Sequence, residues 1–259
     1  MYIMKKQSFS ICIVAIFFVT VLNFSPASAR DLIISMAQLP KILESPDEGI
    51  FVDMVKAMDN VYDGKIERKV FPFARSIDNV IKGEADFHLP MIRNTIVPES
   101  SLPYAFSTDK TGDVCFIIYS HKDNPVTLDT IKDAKTQQTF PLKIESQLGF
   151  RDYFDFPITD STTIENSLKK ISVKRIDAFI FAQEESDFVV NQLKLKDIHR
   201  ELYQTFDDVF VIPKGPKGKE IDAVLSGCIK KLSSTGELKK LHDMIHPPYQ
   251  KWQPYEMGW

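Results

Sequence analysis

The chain contains the same short pattern twice: a helix, a turn, an aspartate and an apolar strand. In the first copy, the helix at Ile77 to Lys82 is followed by Gly83, and Asp86 leads into the strand. A glycine after the last periodic residue is a usual helix stop, because glycine enters the left-handed conformation without a steric penalty. The second copy runs from Arg175 to Ala182. This pattern is typical of open α/β structures, which bind ligands outside the carboxyl ends of their strands.

A polar loop is predicted directly after the first of these strands. The strand is expected to end at Pro90, and the loop runs from Met91 to Ser101. Loops in this place carry binding residues in open α/β proteins. Pro90, Met91 and Arg93 are therefore candidate ligand-binding residues.

Residues 1–29 have the pattern of a secretory signal peptide. Lys5 and Lys6 precede an apolar run from Ile11 to Leu22, and Ala27 to Ala29 form a small-residue cleavage site. The run is too short for a comfortable membrane span, which makes an uncleaved anchor the weaker alternative. We expect cleavage after Ala29 and a periplasmic mature protein.

The charge balance argues against a nucleic-acid-binding protein. The chain has 32 basic and 35 acidic side chains, a formal net charge of −3. Removal of the leader with its two lysines makes the mature chain more acidic, and no basic block stands out. The mature chain has no second long apolar run, so we expect a soluble protein.

The cysteines and histidines do not form a recognisable metal motif. Cys115 and Cys228 are predicted on a strand and a helix, and the sequence leaves open whether they are bridged or are two free thiols. His242 and His246 are spaced four residues apart but have no accompanying glutamate. A solvated helix end is the expected structure there, and we expect no metal and no cofactor.

Several short matches give the chain a family resemblance. It resembles the bacterial extracellular solute-binding proteins of family 3, the periplasmic components of amino-acid-type ABC importers. The resemblance covers nearly the whole mature chain and lies mainly in the order of the elements. The matching residues are Gly49, Val52 and Asp53 at the first helix, and Gly83, Asp86, Met91, Phe106 and Ser107 around the first strand of the repeated pattern.

The resemblance implies an α/β fold of the two-lobe periplasmic binding protein type (type II). Each lobe would be a sheet flanked by helices, and two crossing strands would join the lobes, near Phe116 to Tyr119 and near Val209 to Ile212. Lobe 1 is expected to comprise residues 30–117 and 211–259, and lobe 2 residues 118–210. The implied function is capture of a small polar solute by a monomer that docks on the membrane permease of an ABC transporter.

Other candidate site residues follow from position. In the resembled family an aromatic residue near the end of the second strand stacks on the ligand, which points to Phe73 and then Phe71; ordinary core aromatics are the alternative. Arg75 at a helix start opposes the helix dipole, so it faces either the cleft or a neighbouring acid. Gln147 opens a predicted helix after a strand, a corner with outward backbone N–H groups.

The sequence departs from the family where a ligand amino acid would be held. Ungapped counting puts Ser100 at the position of the arginine that clamps a carboxylate, with Arg93 nearby. It puts Ala182 at the position of the acid for the ammonium group, followed by Gln183 and Glu184. Either short gaps restore Arg93 and Glu184 to these roles or the ligand is not a standard α-amino acid; we favour the second.

Two other function classes remain possible on this scaffold. Some relatives of the resembled family are dehydratases, which need a buried carboxylic acid such as Glu184 or Glu145. The sequence has no visible Ser-His-Asp or Cys-His arrangement, so we predict no catalytic residues and no enzyme. A periplasmic sensor would have to signal through a partner, because no signalling domain is apparent.

Overall fold

The computed structural model describes residues 29–38, 43 and 45–258. The predicted leader lies outside the described residues, apart from Ala29. No helix in the described part of the chain is both long and apolar enough to cross a membrane.

The described strands form one nine-stranded sheet, in which parallel strands at both ends are joined by antiparallel strands in the middle. The strands are β1 (Leu32–Ala37), β2 (Ile66–Phe71), β3 (Phe87–Ile92), β4 (Ala105–Phe106), β5 (Gly112–His121), β6 (Ile144–Gln147), β7 (Thr159–Ser161), β8 (Ala178–Ala182) and β9 (Ile198–Ile212).

Helices lie between the strands in the alternating order of an α/β protein. They are α1 (Ile50–Val61), α2 (Phe73–Ile81), α3 (Leu128–Lys135), α4 (Ile164–Ser172), α5 (Gln183–Leu193), α6 (Pro216–Ser234) and α7 (Glu237–Ile245).

Strands β5 and β9 connect the two halves of the sheet. The strand order is β2-β1-β3-β9-β5-β8-β6-β7, and β4 also pairs with β9. The amino-terminal part of β9 pairs antiparallel with β5. Its carboxyl-terminal part pairs with β3 and β4. One continuous strand is therefore shared by both halves.

Separate hydrophobic cores make the two halves into lobes. One core joins β5, β8 and the helix α4, and includes Ile118, Phe179 and Leu168. Another joins β1, α1 and α6, and includes Met36 and Leu225. One core on each side of the crossing strands gives the protein two lobes, which confirms the two-lobe prediction. The residues at which one lobe passes into the other remain a prediction.

The aspartate of the repeated pattern has the same structural role in both lobes. The Asp86 backbone N–H donates to the Ile33 carbonyl at 2.8 Å, and its Oδ2 accepts from the Ile33 N–H at 2.8 Å. Asp177 makes the same exchange with Lys143, at 2.9 and 2.7 Å. Each aspartate thus fixes the start of the neighbouring parallel strand, β1 in one lobe and β6 in the other.

The carboxyl-terminal tail is fixed to the second lobe by a fully buried arginine. Arg200 Nη2 lies 2.6 Å from Asp187 Oδ2, and Nη1 donates to the carbonyls of Gln250 at 3.2 Å and Trp252 at 2.9 Å. The guanidinium also lies 3.9 Å from the centre of the Trp252 ring. Because α7 packs on α1 and α6 of the first lobe, the tail passes from one lobe to the other.

Three expectations about local structure are corrected. The second crossing strand, predicted near Val209 to Ile212, begins much earlier, at Ile198. The predicted helix after Gln147 is a single 3-10 turn, Arg151–Tyr153. Strand β3 continues to Ile92 because it pairs with β9, so Met91 lies in a strand. The open question about the cysteines is answered, since Cys115 and Cys228 are both free and buried.

Substitution of Asp86 by alanine is expected to lower the free energy of unfolding by about 2 kcal/mol at pH 7. Burial would raise the pKa of Asp86, but hydrogen bonds from Arg30, the Ile33 N–H and Lys217 outweigh it and lower the pKa. The stabilisation is therefore present above the ordinary pKa of 3.8 and is lost as the pH falls through the lower folded-state value. Urea unfolding at several pH values measures it.

The matched control is Asp53→Ala, which removes an exposed carboxylate in the first turn of α1. We expect it to change stability by less than about 0.5 kcal/mol. Equal effects of the two substitutions would contradict the structural role of Asp86.

Candidate functional site

The aromatic candidates lie where β2 passes into α2. Phe71 ends β2 and is partly buried, whereas Phe73 opens α2 and is 39% exposed. The Phe73 ring meets the His88 ring edge-on, with 5.6 Å between the centroids. An exposed aromatic face at the carboxyl end of a strand is suited to cover the apolar part of a ligand.

A buried polar network supports Phe73 from beneath. His88 Nδ1 lies 2.7 Å from Ser76 Oγ, and Nε2 lies 3.1 Å from the Pro90 carbonyl oxygen. A carbonyl can only accept, so Nε2 carries the proton and Nδ1 accepts from Ser76. Ser35 Oγ lies 3.0 Å from Ser76 Oγ and accepts from Asn79 at 3.2 Å. Burial lowers the pKa of His88 to about 4, so the ring is neutral at pH 7.

The two candidate arginines already have partners within the protein. Arg75 is exposed and forms a salt bridge with Glu84 at 3.1 Å. Of the two predicted alternatives, the cleft and a neighbouring acid, it therefore faces the acid. Arg93 Nη2 donates to the Ser107 carbonyl at 2.7 Å, and its other nitrogens lie 3.4 Å from Glu99 and 3.6 Å from Asp207. A ligand anion at Arg93 would have to compete with these three groups for the guanidinium. Arg75 does not join the other candidates.

The lobes meet at the carboxyl end of β3 and in the residues that directly follow it. Tyr153 of the second lobe donates its hydroxyl to the Ile92 carbonyl at 3.0 Å and lies 3.6 Å from Met91 Sδ. Asn94 of the first lobe donates to the Asp152 carbonyl at 3.0 Å. These polar contacts lie beside Pro90 and Met91. They show which surfaces of the two lobes face each other.

The second-lobe candidates divide between two places. Gln147 ends β6, and its Oε1 is buried without a hydrogen-bond partner in the described part of the chain. Gln183 opens α5 and donates to the Pro247 carbonyl at 2.9 Å. Glu184 Oε1 lies 2.9 Å from His246 Nδ1. Gln183 and Glu184 therefore contact the segment that follows α7.

The other carboxylic acid considered for catalysis is held in a structural ion pair. Glu145 on β6 is buried, and its oxygens accept from Lys170 at 2.7 Å and Ser167 at 2.6 Å. Both partners lie on α4. The pair connects the strand to the helix that covers it.

A buried cluster of histidines and acids was missed by the sequence analysis. The expectation of a solvated helix end is wrong, because His242 is 5% exposed and the side chain of His246 10%. Asp208 Oδ2 on β9 lies 3.8 Å from His242 Nε2 and 4.0 Å from His246 Nε2, and it accepts from Thr111 at 2.8 Å. The four-residue spacing was the only local signal of this cluster.

The charges of the cluster follow from burial and from close partners. Burial and the neighbouring His246 lower the pKa of His242 to about 4. Burial would also lower the pKa of His246, but Glu184 outweighs it and raises the pKa. Burial raises the pKa of Asp208, and His246 offsets part of this rise.

A cavity of about 530 Å³ lies beside the histidines rather than between the predicted ligand-binding residues. Thr111, Gly112, Cys115, His242 and Tyr249 are among the residues that line it, and none of the nine candidate ligand-binding residues does. This cavity therefore lies against β5, β9 and α7, away from the predicted ligand-binding residues.

Solved structures of the same shape identify the fold. A histidine kinase sensor domain described as similar to periplasmic binding proteins matches with a TM-score of 0.61 and 14% identity over 84% of this chain and 96% of that one. The unliganded, open L-cystine solute receptor of Neisseria gonorrhoeae matches with a TM-score of 0.59 and 17% identity over 86% and 96%.

The chain has the two-lobe fold of the periplasmic binding proteins. A third structure with this fold is AncCDT-1, an ancestral amino-acid-binding protein and precursor of cyclohexadienyl dehydratase. It has a TM-score of 0.56 and 15% identity over 83% of this chain and 94% of that one. No model of a known protein family matches the sequence. No curated protein matches it. At these identities the fold is shared, and the function has to be argued from the site.

Replacement of Gly112 by alanine is expected to destabilise the protein by about 1–3 kcal/mol. A Cβ at this position would lie 2.3 Å from the His242 ring, so the imidazole or β5 must move. The control is Gly227→Ala on α6, where a Cβ meets nothing within 4 Å and alanine favours the helix. Urea unfolding compares the two, and a loss in both variants would contradict the close packing of Gly112 on His242.

The stability of the protein is expected to fall as the pH drops from 7 to 4.5. Folded His88 has a pKa of about 4 against an ordinary 6.5, so the unfolded chain takes up its proton first. The contribution of neutral His88 is complete above pH 6.5 and is lost towards pH 4, on the order of 3 kcal/mol. His88→Gln should reduce the slope of stability against pH, although His242 leaves a remainder. An unchanged slope would contradict this assignment.

Proposed function

We propose that this chain is a periplasmic solute-binding protein that closes two lobes around a small polar solute and delivers it to the membrane permease of an ABC transporter. Cleavage after Ala29 releases a monomeric protein into the periplasm. Lobe 1 comprises residues 30–117 and 211–259, and lobe 2 residues 118–210. The protein works without a catalytic residue, and no cofactor is needed for capture.

The observation that carries this proposal is the contact between the lobes at the carboxyl end of β3. The two hydrogen bonds from Tyr153 to Ile92 and from Asn94 to Asp152 are local and polar, so water can replace them when the lobes separate. A strand pair on one side and a few exchangeable contacts on the other are suited to hinge closure. The solved structures of this fold include a receptor in an open conformation.

The proposed ligand contacts come from both sides of this closure. Phe71 and Phe73 cover the apolar part of the solute, and Arg93 holds an anionic group after releasing the Ser107 carbonyl. Pro90 and Met91 form the edge of the first lobe. Gln147 contributes its unpartnered oxygen from the second lobe. Arg75, Gln183 and Glu184 belong to the site only if the open protein frees them from Glu84, Pro247 and His246.

The ligand class follows from the partners of the charged groups. Arg93 has to release the Ser107 carbonyl before it can hold an anionic group, and Glu184 lies beside His246, so the two do not form a ready pair of anchors for the carboxylate and the ammonium group of an amino acid. Ser100 occupies the expected arginine position. We therefore propose a solute other than a standard α-amino acid, with one hydrogen-bonding group and an apolar part.

Thermal unfolding of the purified protein tests binding against amino acids, small carboxylates, polyamines and sugars. A ligand at 100 times its dissociation constant stabilises by about 2.7 kcal/mol, which raises the melting temperature by several degrees in a protein of this size. We expect a shift with a compound outside the standard amino acids. Phe73→Ala should weaken binding of that compound at least about tenfold.

Arg175→Ala on the exposed surface of the second lobe is the control and should bind normally. A shift with a standard amino acid that Arg93→Ala abolishes would overturn the proposed ligand class and restore the amino-acid-binding assignment. Absence of any shift, together with unchanged small-angle scattering, would overturn solute capture.

A sensor is the second candidate, because a histidine kinase sensor domain shares this fold. A sensor would also close on a ligand but would engage a receptor instead of a permease. Ligand-dependent stimulation of ATP hydrolysis by the cognate importer in vesicles distinguishes the two functions. An ancestral relative of a dehydratase shares the fold as well, but Glu145 is held by Lys170 and Ser167.

A further inference from the structure

Three side chains of residue types that commonly bind metal ions lie close together beside the crossing strands β5 and β9. Asp208 comes from β9, His242 from the last turn of α7, and His246 directly follows that helix. One ligand atom of each residue lies within 4.8 Å of the others. Two imidazoles and one carboxylate are a common ligand set for zinc, whereas calcium and magnesium prefer oxygen ligands alone.

The ring nitrogens that face this point have no hydrogen-bond partner. Nε2 of His242 and Nε2 of His246 are both buried and unpartnered among the described residues. A buried polar atom without a partner costs about 1–3 kcal/mol, and native proteins retain few of them. Two such atoms directed at the same carboxylate indicate a missing common partner.

A second carboxylate contacts the other ring nitrogen of one of these imidazoles. Glu184 Oε1 lies 2.9 Å from His246 Nδ1, on the side of the ring away from Asp208. Metal-binding histidines almost always have their other nitrogen on a carboxylate, a carbonyl or water, which fixes the tautomer. The ring of His242 is held by packing, because Gly112 leaves space for it against β5.

We propose that Asp208, His242 and His246 bind one divalent transition-metal ion, with zinc as the best match, and that Glu184 orients His246. Atoms bound at 2.0–2.1 Å in a tetrahedral site are roughly 3.3 Å apart. Asp208 Oδ2 lies 3.8 and 4.0 Å from the two imidazole nitrogens, and all three ligand atoms lie within 4.8 Å of one another. Binding one ion would therefore draw them together by at most about 1.5 Å. The fourth position is left for water from the adjoining cavity.

The site would connect the lobes independently of any solute. Its ligands come from the shared strand β9 and from α7, while Glu184 comes from α5 of the second lobe. The alternative is a metal-free ion-pair network, with a charged His246 between Glu184 and Asp208. Metal titration separates the two.

The test adds zinc chloride or cobalt chloride to purified protein stripped with a chelator. We expect one ion per chain by calorimetry, a melting temperature raised by several degrees, and the visible absorption of tetrahedral cobalt. His242→Gln should weaken zinc binding at least about 100-fold and remove the cobalt absorption. Glu184→Gln should weaken it about 10–100-fold, as expected when the residue that orients a ligand is lost.

His199→Gln is the matched control, because His199 lies at the opposite end of β9 beside Glu201. It should bind zinc like the wild-type protein. Circular dichroism of each metal-free variant establishes that it is folded, and the cobalt spectrum of the wild-type protein tests the site without any variant. No cobalt absorption in the wild-type protein, or equal zinc affinity in His242→Gln and His199→Gln, would overturn the proposal.

Discussion

The antiparallel pairing of β5 with β9 is the constraint on which the rest of the structure depends. It runs from Gly112 opposite Asp208 to His121 opposite Ile198, with one register shift beside Phe116. After leaving β5, the same strand pairs with β3 and β4 in the other lobe. Any change in the angle between the lobes must therefore be taken up within this ladder. A bulge increases local twist, and the register shift is a natural place for such a change.

The repeated sequence pattern has a physical cause that is separate from ligand binding. Asp86 and Asp177 each exchange two hydrogen bonds with a residue within one position of the start of the neighbouring parallel strand. A parallel strand cannot be aligned by a tight hairpin, so a carboxylate at its start supplies the register. The two lobes need the same device because both are built from parallel strands. This explains why the pattern recurs although the loops that follow it differ.

Much of the fold is readable from local sequence. The Gly83 stop predicted the end of α2, and the repeated aspartate followed by an apolar run predicted β3 and β8. The first part of β9 was missed because residues such as Arg200 and Gln204 are polar, and only their pairing with β5 makes this segment a strand. Met91 was assigned to a loop for the same reason, since its strand depends on β9.

The site was less predictable because its charged residues have partners far along the chain. Arg75 and Arg93 were chosen by position, but their partners Glu84 and Ser107 decide what each guanidinium is available to do. The burial of His242 and His246 depends on how α7 and the tail pack on β9. No spacing rule contains that information. Whether Cys115 and Cys228 form a disulfide could likewise be decided only from the three-dimensional structure.

The tail held by Arg200 gives lobe movement an energetic cost that is independent of the solute. Movement of α7 with the first lobe stretches the segment whose carbonyls at Gln250 and Trp252 bind the buried guanidinium. The tail is therefore a second connection between the lobes, besides the crossing strands, and it resists their relative movement. Apparent affinity scales with the population of the binding-competent arrangement. In the proposed binding protein, substitutions in this segment would change the affinity for the solute without touching it.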